Sequence, residues 1–224
     1  MHQKLGNKKL IFFYIFLILL LSSINNYNFS IGNIFRIKNI VVSGMSNDKN
    51  FNIQSELFFL TGKNIFFLKD DIQNYFNKKK NIKKITIKKI YPNGLEITIT
   101  ESKPVCIFFD NGKEIFLGDN GEVLSVQQDY GNLLKVYGSS NKDQIFGLLN
   151  IIKRSSLKVN NIESIIFFKS HRFDLYFKDK KVIKFPINYN DSIFEYAYKI
   201  LQDSNFSNAK IIDLRINNKI IKNE

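Results

Sequence analysis

The chain has 224 residues, 44% of them hydrophobic, and 33 Lys+Arg against 20 Asp+Glu give a formal net charge of +13. That length allows an apolar anchor and one or two small domains, and 3 prolines with 11 glycines speak against long disordered linkers. Cys106 is the only cysteine, which excludes an internal disulfide. The positive charge would suit nucleic acid or anionic lipid, but the lysines are scattered and not gathered into one stripe.

Lys4, Lys8 and Lys9 precede the apolar run Leu10 to Leu21, and no charged residue follows until Arg36. Taken over residues 10–29, the segment is ~20 residues and ~30 Å long as a helix, enough to span a bilayer core. Residues 1–9 form a short tail, and the lysines place it on the cytoplasmic side. A cleaved signal peptide shares the basic start and apolar core, but the residues after Leu21 offer no small-x-small site, which favours an uncleaved anchor.

Phe35 to Gly44 reads as a β-branched strand closed by a glycine turn. Ile53, Leu57, Phe58 and Leu60 follow at helical spacing, ended by Thr61-Gly62. Asp70 and Asp71 open a second helix with Lys78 to Lys80 at its end, an order that suits the helix dipole. Ile85 to Lys88 and Leu95 to Glu101 alternate as strands about the turn Tyr91-Pro92-Asn93-Gly94. The order is β-α-α-β-β, a sheet with one face on two helices and one face wet.

Val105 to Phe109 is an apolar run in which Cys106 acts as a small buried hydrophobe. Ile115 to Leu124 forms a hairpin at Asp119-Asn120-Gly121. Ile145, Leu148, Leu149, Ile151 and Ile152 make a helical stripe, and strands follow at residues 162–168, 173–177 and 182–185. Ile193 to Leu201 is a further helix with Asp191 or Ser192 as its cap, and Lys210 to Lys222 is the final strand. The fold class is α+β.

Catalytic and metal-binding patterns are missing. His2 and His171 stand near no acid pair, and Cys106 has no base beside it. Gly62-Lys63 lacks the rest of a phosphate loop, and Asp70-Asp71 is a helix start. The reading is of a protein that is not an enzyme, with no cofactor and no small-molecule substrate. The lysines at 78–80, 83, 84, 88 and 89 form a solvated face or a contact for lipid headgroups. They lack the interleaved aromatics of a nucleic-acid site.

Four stretches resemble the FtsQ/DivIB family of bacterial cell-division proteins. Ile40 to Gly44, Asn64 to Leu68 and Tyr91 to Val105 resemble its POTRA domain, the last stretch being similar to a P-x-x-L-x-I-x-I-x-E-x-x-P-V run. Ile212-Asp213-Leu214-Arg215, a short turn and Ile220-Ile221 resemble its terminal strand. The resemblance implies a single transmembrane helix, a POTRA domain at residues 34–102 and a β-rich domain with flanking helices at 104–224. It implies an inner-membrane, single-pass protein with its C-terminal domains in the periplasm. It also implies a septation scaffold that binds FtsB and FtsL by adding a strand to its last, uncovered edge, with other division proteins meeting the POTRA domain. Carried over by position, the partner-binding residues are Arg172, Arg215, Ile216, Asn218 and Lys219. Ile216 stands where the family often has an aromatic, and Phe173 where it often has Trp. By the POTRA stretch alone, a polypeptide translocation or outer-membrane assembly factor is the alternative.

Overall fold

The computed structural model describes residues 7–23, 31–110, 112–125, 130–138, 141–216 and 219–223. The chain divides into two compact units, residues 1–74 with 86–98 and residues 75–85 with 99–224.

The chain opens with α1 (Asn7–Ser23), whose residues Leu10 to Leu21 all face outward, so it has no buried stripe. It has 17 residues, and no helix among the described residues is long and apolar enough to cross a membrane. The expected anchor ran to residue 29; residues 24–30 lie outside the described residues. After α2 (Ile31–Ile34) come β1 (Asn39–Ser43), α3 (Asn47–Glu56), a 3-10 turn (Leu57–Leu60) and α4 (Lys69–Phe76). β2 (Ile82–Ile90) and β3 (Gly94–Glu101) complete a sheet of order β1-β3-β2. β1 runs parallel to β3, with Ile40 opposite Leu95 and Val42 opposite Ile97.

The period-2 apolar residues of β3, Leu95, Ile97 and Ile99, are all buried. Ile53 of α3, Leu57 and Leu60 of the 3-10 turn, and Ile72 of α4 are buried too. Two expectations change here. The strand expected from Phe35 shortens to Asn39–Ser43, with Arg36 reduced to an isolated bridge to Asn64. β2, expected to bury alternate residues, leaves Ile87 and Ile90 exposed.

The second unit is a nine-stranded sheet. Its strands are β4 (Pro104–Asp110), β5 (Lys113–Gly118), β6 (Val123–Leu124), β7 (Leu134–Gly138) and β8 (Ile162–Phe167). β9 (Phe173–Phe177), β10 (Val182–Phe185), β11 (Ile211–Asp213) and β12 (Ile221–Asn223) follow. Their spatial order is β12-β11-β10-β9-β8-β7-β4-β5-β6. α5 (Lys142–Arg154) connects the parallel neighbours β7 and β8, and α6 (Asp191–Gln202) connects the parallel neighbours β10 and β11. Parallel neighbours require such crossovers.

The two helical stripes, Ile145, Leu148, Leu149 and Ile152 of α5 with Phe194, Ala197 and Ile200 of α6, share one core with alternate strand residues. Those include Cys106, Phe108, Val136, Ile165, Leu175, Ile183 and Ile212. The run expected as merely apolar around Cys106 is thus β4, and burial pushes the Cys106 thiol up to about 12, leaving it protonated at neutral pH. Asn141 caps α5 with a capping box through Gln144. The cap of α6 is Asn190, not Asp191 or Ser192: its Oδ1 accepts from the Ile193 N–H at 3.3 Å and the Ser192 hydroxyl at 2.7 Å.

The single final strand expected over Lys210 to Lys222 is two strands. β11 pairs with β10 on one side and with β12 on the other, Ile212 standing opposite both Ile183 and Lys222. The break has a local cause. Asp213 Oδ1 accepts the Arg215 backbone N–H at 3.0 Å, an Asx turn that bends the chain out of the ladder just after Leu214 bonds to the Lys184 carbonyl.

Candidate functional site: the β12 edge and its grooves

The sheet's helix-free face carries a ladder of charge at its C-terminal side. Asp174 of β9 stands opposite Lys184 of β10, which stands opposite Asp213 of β11. Arg172 lies in the turn before β9, its guanidinium 4.6 Å from the centre of the Phe168 ring. Arg215 grips Asp213 with its Nε, 2.8 Å and 2.9 Å from the two carboxylate oxygens. These hydrogen bonds outweigh the burial of Asp213 and hold its carboxyl below the usual range.

Asp174 is different. It is 5% exposed, and its Oδ1 has no hydrogen-bond partner. Burial raises its carboxyl above the ordinary value, against the pull of Lys184, Arg172 and Arg215. A carboxyl raised in the folded state costs stability above its folded value, and the cost vanishes as pH falls below the unfolded value of ~4. Asp174→Asn is therefore expected to stabilise the fold by about 1 kcal/mol at pH 7, with the gain closing below pH ~4. Urea unfolding of both proteins at the two pH values measures it.

Two grooves meet here. One, of about 580 Å³, is lined by Ser170, Arg172, Ile187, Arg215 and Ile216, among others. The other, of about 470 Å³, is lined by Ser192, Tyr196, Leu214, Ile216 and Lys219, among others. Pro186, Asn188 and Ile216 border both. Ile216 is 51% exposed, and Ile187 and Tyr196 are exposed beside the same grooves. β12, with all three residues exposed, is the outer strand of the sheet at this end. The site thus offers an open strand edge, exposed apolar side chains and two guanidinium groups, the composition of a peptide-docking surface.

The fold brings Arg172, Arg215 and Ile216 together on one groove, and Ile216 and Lys219 on the other. Asn218 lies outside the described residues. Arg215 and Ile216 were expected within a strand; they lie in the bend after β11, and the outer strand is β12. Sequence reasoning missed Asp174, Lys184, Ile187 and Tyr196. The one available signal was an acid inside the apolar strand Phe173-Asp174-Leu175-Tyr176-Phe177.

A three-stranded α/β module is followed by a larger sheet-and-helix unit whose outer strand at one end is β12. Residues 35–102 match the POTRA domain, FtsQ-type, and residues 106–215 match the Cell division protein FtsQ/DivIB, C-terminal family. The chain belongs to the FtsQ/DivIB family of cell-division proteins. It is 28% identical over 193 residues to the cell division protein FtsQ of Rickettsia conorii, covering 83% of this chain and 71% of that one. The Rickettsia prowazekii protein matches with the same identity and coverage. The FtsQ of Bradyrhizobium diazoefficiens is 27% identical over 160 residues, 68% of this chain and 45% of that one.

Proposed function

We propose that the chain is a membrane-anchored scaffold of the division machinery that takes up an extended segment of an FtsB/FtsL-type partner along β12. The carrying observation is the outer strand β12 lying at the same end of the sheet as grooves that share Ile216. A partner strand would add to β12 by main-chain hydrogen bonds, which are indifferent to side chains. Specificity would come from apolar contact with Ile216, Ile187 and Tyr196, and from acidic groups meeting Arg172 and Arg215.

The anchor would be α1. It is apolar on every side, as a lipid-facing helix must be, and its 17 residues span ~26 Å against a hydrocarbon core of ~30 Å. Lys8 and Lys9 at its start would hold that end in the cytoplasm, with both folded units beyond the membrane.

The test is capture of the cell's FtsB-like protein by the full chain in detergent. Ile216→Glu is expected to weaken capture by about tenfold or more, by placing an unpaired charge at a desolvated contact. Because Ile216 is half exposed, thermal unfolding of the free variant should not change. Undiminished capture would show that partners dock elsewhere.

A further inference from the structure

The first unit carries an aromatic surface that the partner-binding site does not use. Phe66 is 48%, Tyr91 58% and Phe67 81% exposed. Phe66 lies 5.2 Å from Phe35 and 5.8 Å from Tyr91, ring centre to ring centre. These residues come from three separate segments: the entry to β1, the loop before α4, and the turn between β2 and β3. Two backbone bonds hold the segments together: the Ile65 N–H donates to the Phe35 carbonyl at 2.9 Å and the Lys38 N–H to the Asn93 carbonyl at 2.9 Å. Within the loop, the Phe66 N–H donates to Asn64 Oδ1 at 3.0 Å. The patch is a built surface, not a frayed loop.

A cation stands over its central ring: Lys89 Nζ is 5.7 Å from the Phe66 centroid. Arg36 and Lys38 are exposed on the same entry segment. Two nearby lysines do not add to it: Lys63 pairs with Asp71 at 2.8 Å, and Lys88 with Glu96 at 3.6 Å.

We propose that this patch lies in the headgroup layer of an anionic phospholipid bilayer, with Phe66, Phe67 and Tyr91 in the interface and Arg36, Lys38 and Lys89 facing lipid phosphates. Exposed rings interleaved with cations are the composition of such an interface, and each nearby cation adds attraction to an anionic surface. Chain length points to the same occupant. Residues 24–34, eleven in number, separate α1 from Phe35 and reach at most ~40 Å when fully extended. The patch therefore stays within reach of the bilayer that α1 enters; this step rests on α1 being an anchor.

The test uses the full chain in nanodiscs of phosphatidylcholine, with or without phosphatidylglycerol. An environment-sensitive fluorophore is placed at F67C, at F16C in α1, or at D179C in the β9–β10 turn; the native Cys106 is buried. The position-67 label should brighten several-fold and shift to the blue in the anionic discs, while the position-179 label should not respond. Lys38→Glu with Lys89→Glu should return the position-67 label to its neutral-disc signal. A position-67 label that stays water-exposed beside an immersed position-16 label overturns the proposal and leaves the anchor standing. Immersion at 67 but not at 16 supports the proposal and overturns the anchor. Exposure at both overturns both. Burial at 67 only when the FtsB-like protein is added, or an equal response at 179, shows a protein site or non-specific adsorption and also overturns it.

Discussion

Deleting residues 219–224 is expected to lower the affinity for an FtsB-like partner by about 100-fold or more, some 3 kcal/mol. The deletion removes β12 and with it the main-chain groups to which a partner strand would bond. β12 has three residues, so about two such bonds at ~0.5–1.5 kcal/mol each supply most of that loss, and the exposed Ile221 adds apolar contact. β11 would become the new edge, but it is a poor substitute. It has three residues, and the Asp213 Asx turn carries Arg215 out of line immediately after it. Calorimetric titration of the full chain and the deleted form gives the number. Circular dichroism of the deleted form should stay native, because β12 is exposed throughout. A point variant keeps the result interpretable. Lys222→Pro removes one N–H and should cost at least tenfold while leaving the length unchanged. Equal affinity for all three chains would refute strand addition at this edge.

Phe173→Ala is expected to destabilise the second unit by about 3–5 kcal/mol, a large share of the ~5–15 kcal/mol that holds a domain folded. Phe173 is fully buried at the centre of an aromatic cluster. Its ring stacks on Phe185 of β10 at 5.0 Å and meets Tyr189 edge-on at 4.9 Å. Phe194 of α6 stacks at 6.1 Å, and Phe167 of β8 lies tilted at 5.7 Å. Three strands and a helix thus lose a shared contact at once, and four rings line the cavity left behind. Urea denaturation should show the loss, with a fall in Tm of about 10 °C or more. Phe173→Leu, which keeps most of the volume, should lose far less. A loss below about 1 kcal/mol for alanine would mean that the core collapses around the gap. Because Phe173 lies between Arg172 and Asp174 in β9, loosening it should also weaken partner capture through the groove that Arg172 lines.

Much of this architecture is legible one segment at a time. The alternation of Leu95 to Glu101 is a property of the local chain, and so is the stripe from Ile145 to Ile152. Each forms the element its periodicity demands, because a single element buries a single face. Of the five residues that the resemblance suggests for partner contact, four lie along two adjoining grooves. What local pattern does not carry is which strand lies beside which. β2 has the alternation of a half-buried strand, yet it leaves Ile87 and Ile90 in water. Lys210 to Lys222 reads as one strand until Asp213 turns the chain. Asp174 gives no hint that it is covered, because its burial is set by β8 and β10 on either side.

The sequence by itself determined the kind of most elements in each unit, the apolar character of α1, the inert burial of Cys106 and the family to which the chain belongs. Only the tertiary structure decided that β12 forms the edge, that Ile216 is shared by two grooves, and that rings from three segments meet around Phe66. The physical reason is the same in each case. Periodicity and turn chemistry act over a few residues, whereas an edge, a groove or a patch exists only when segments far apart in the chain are packed together.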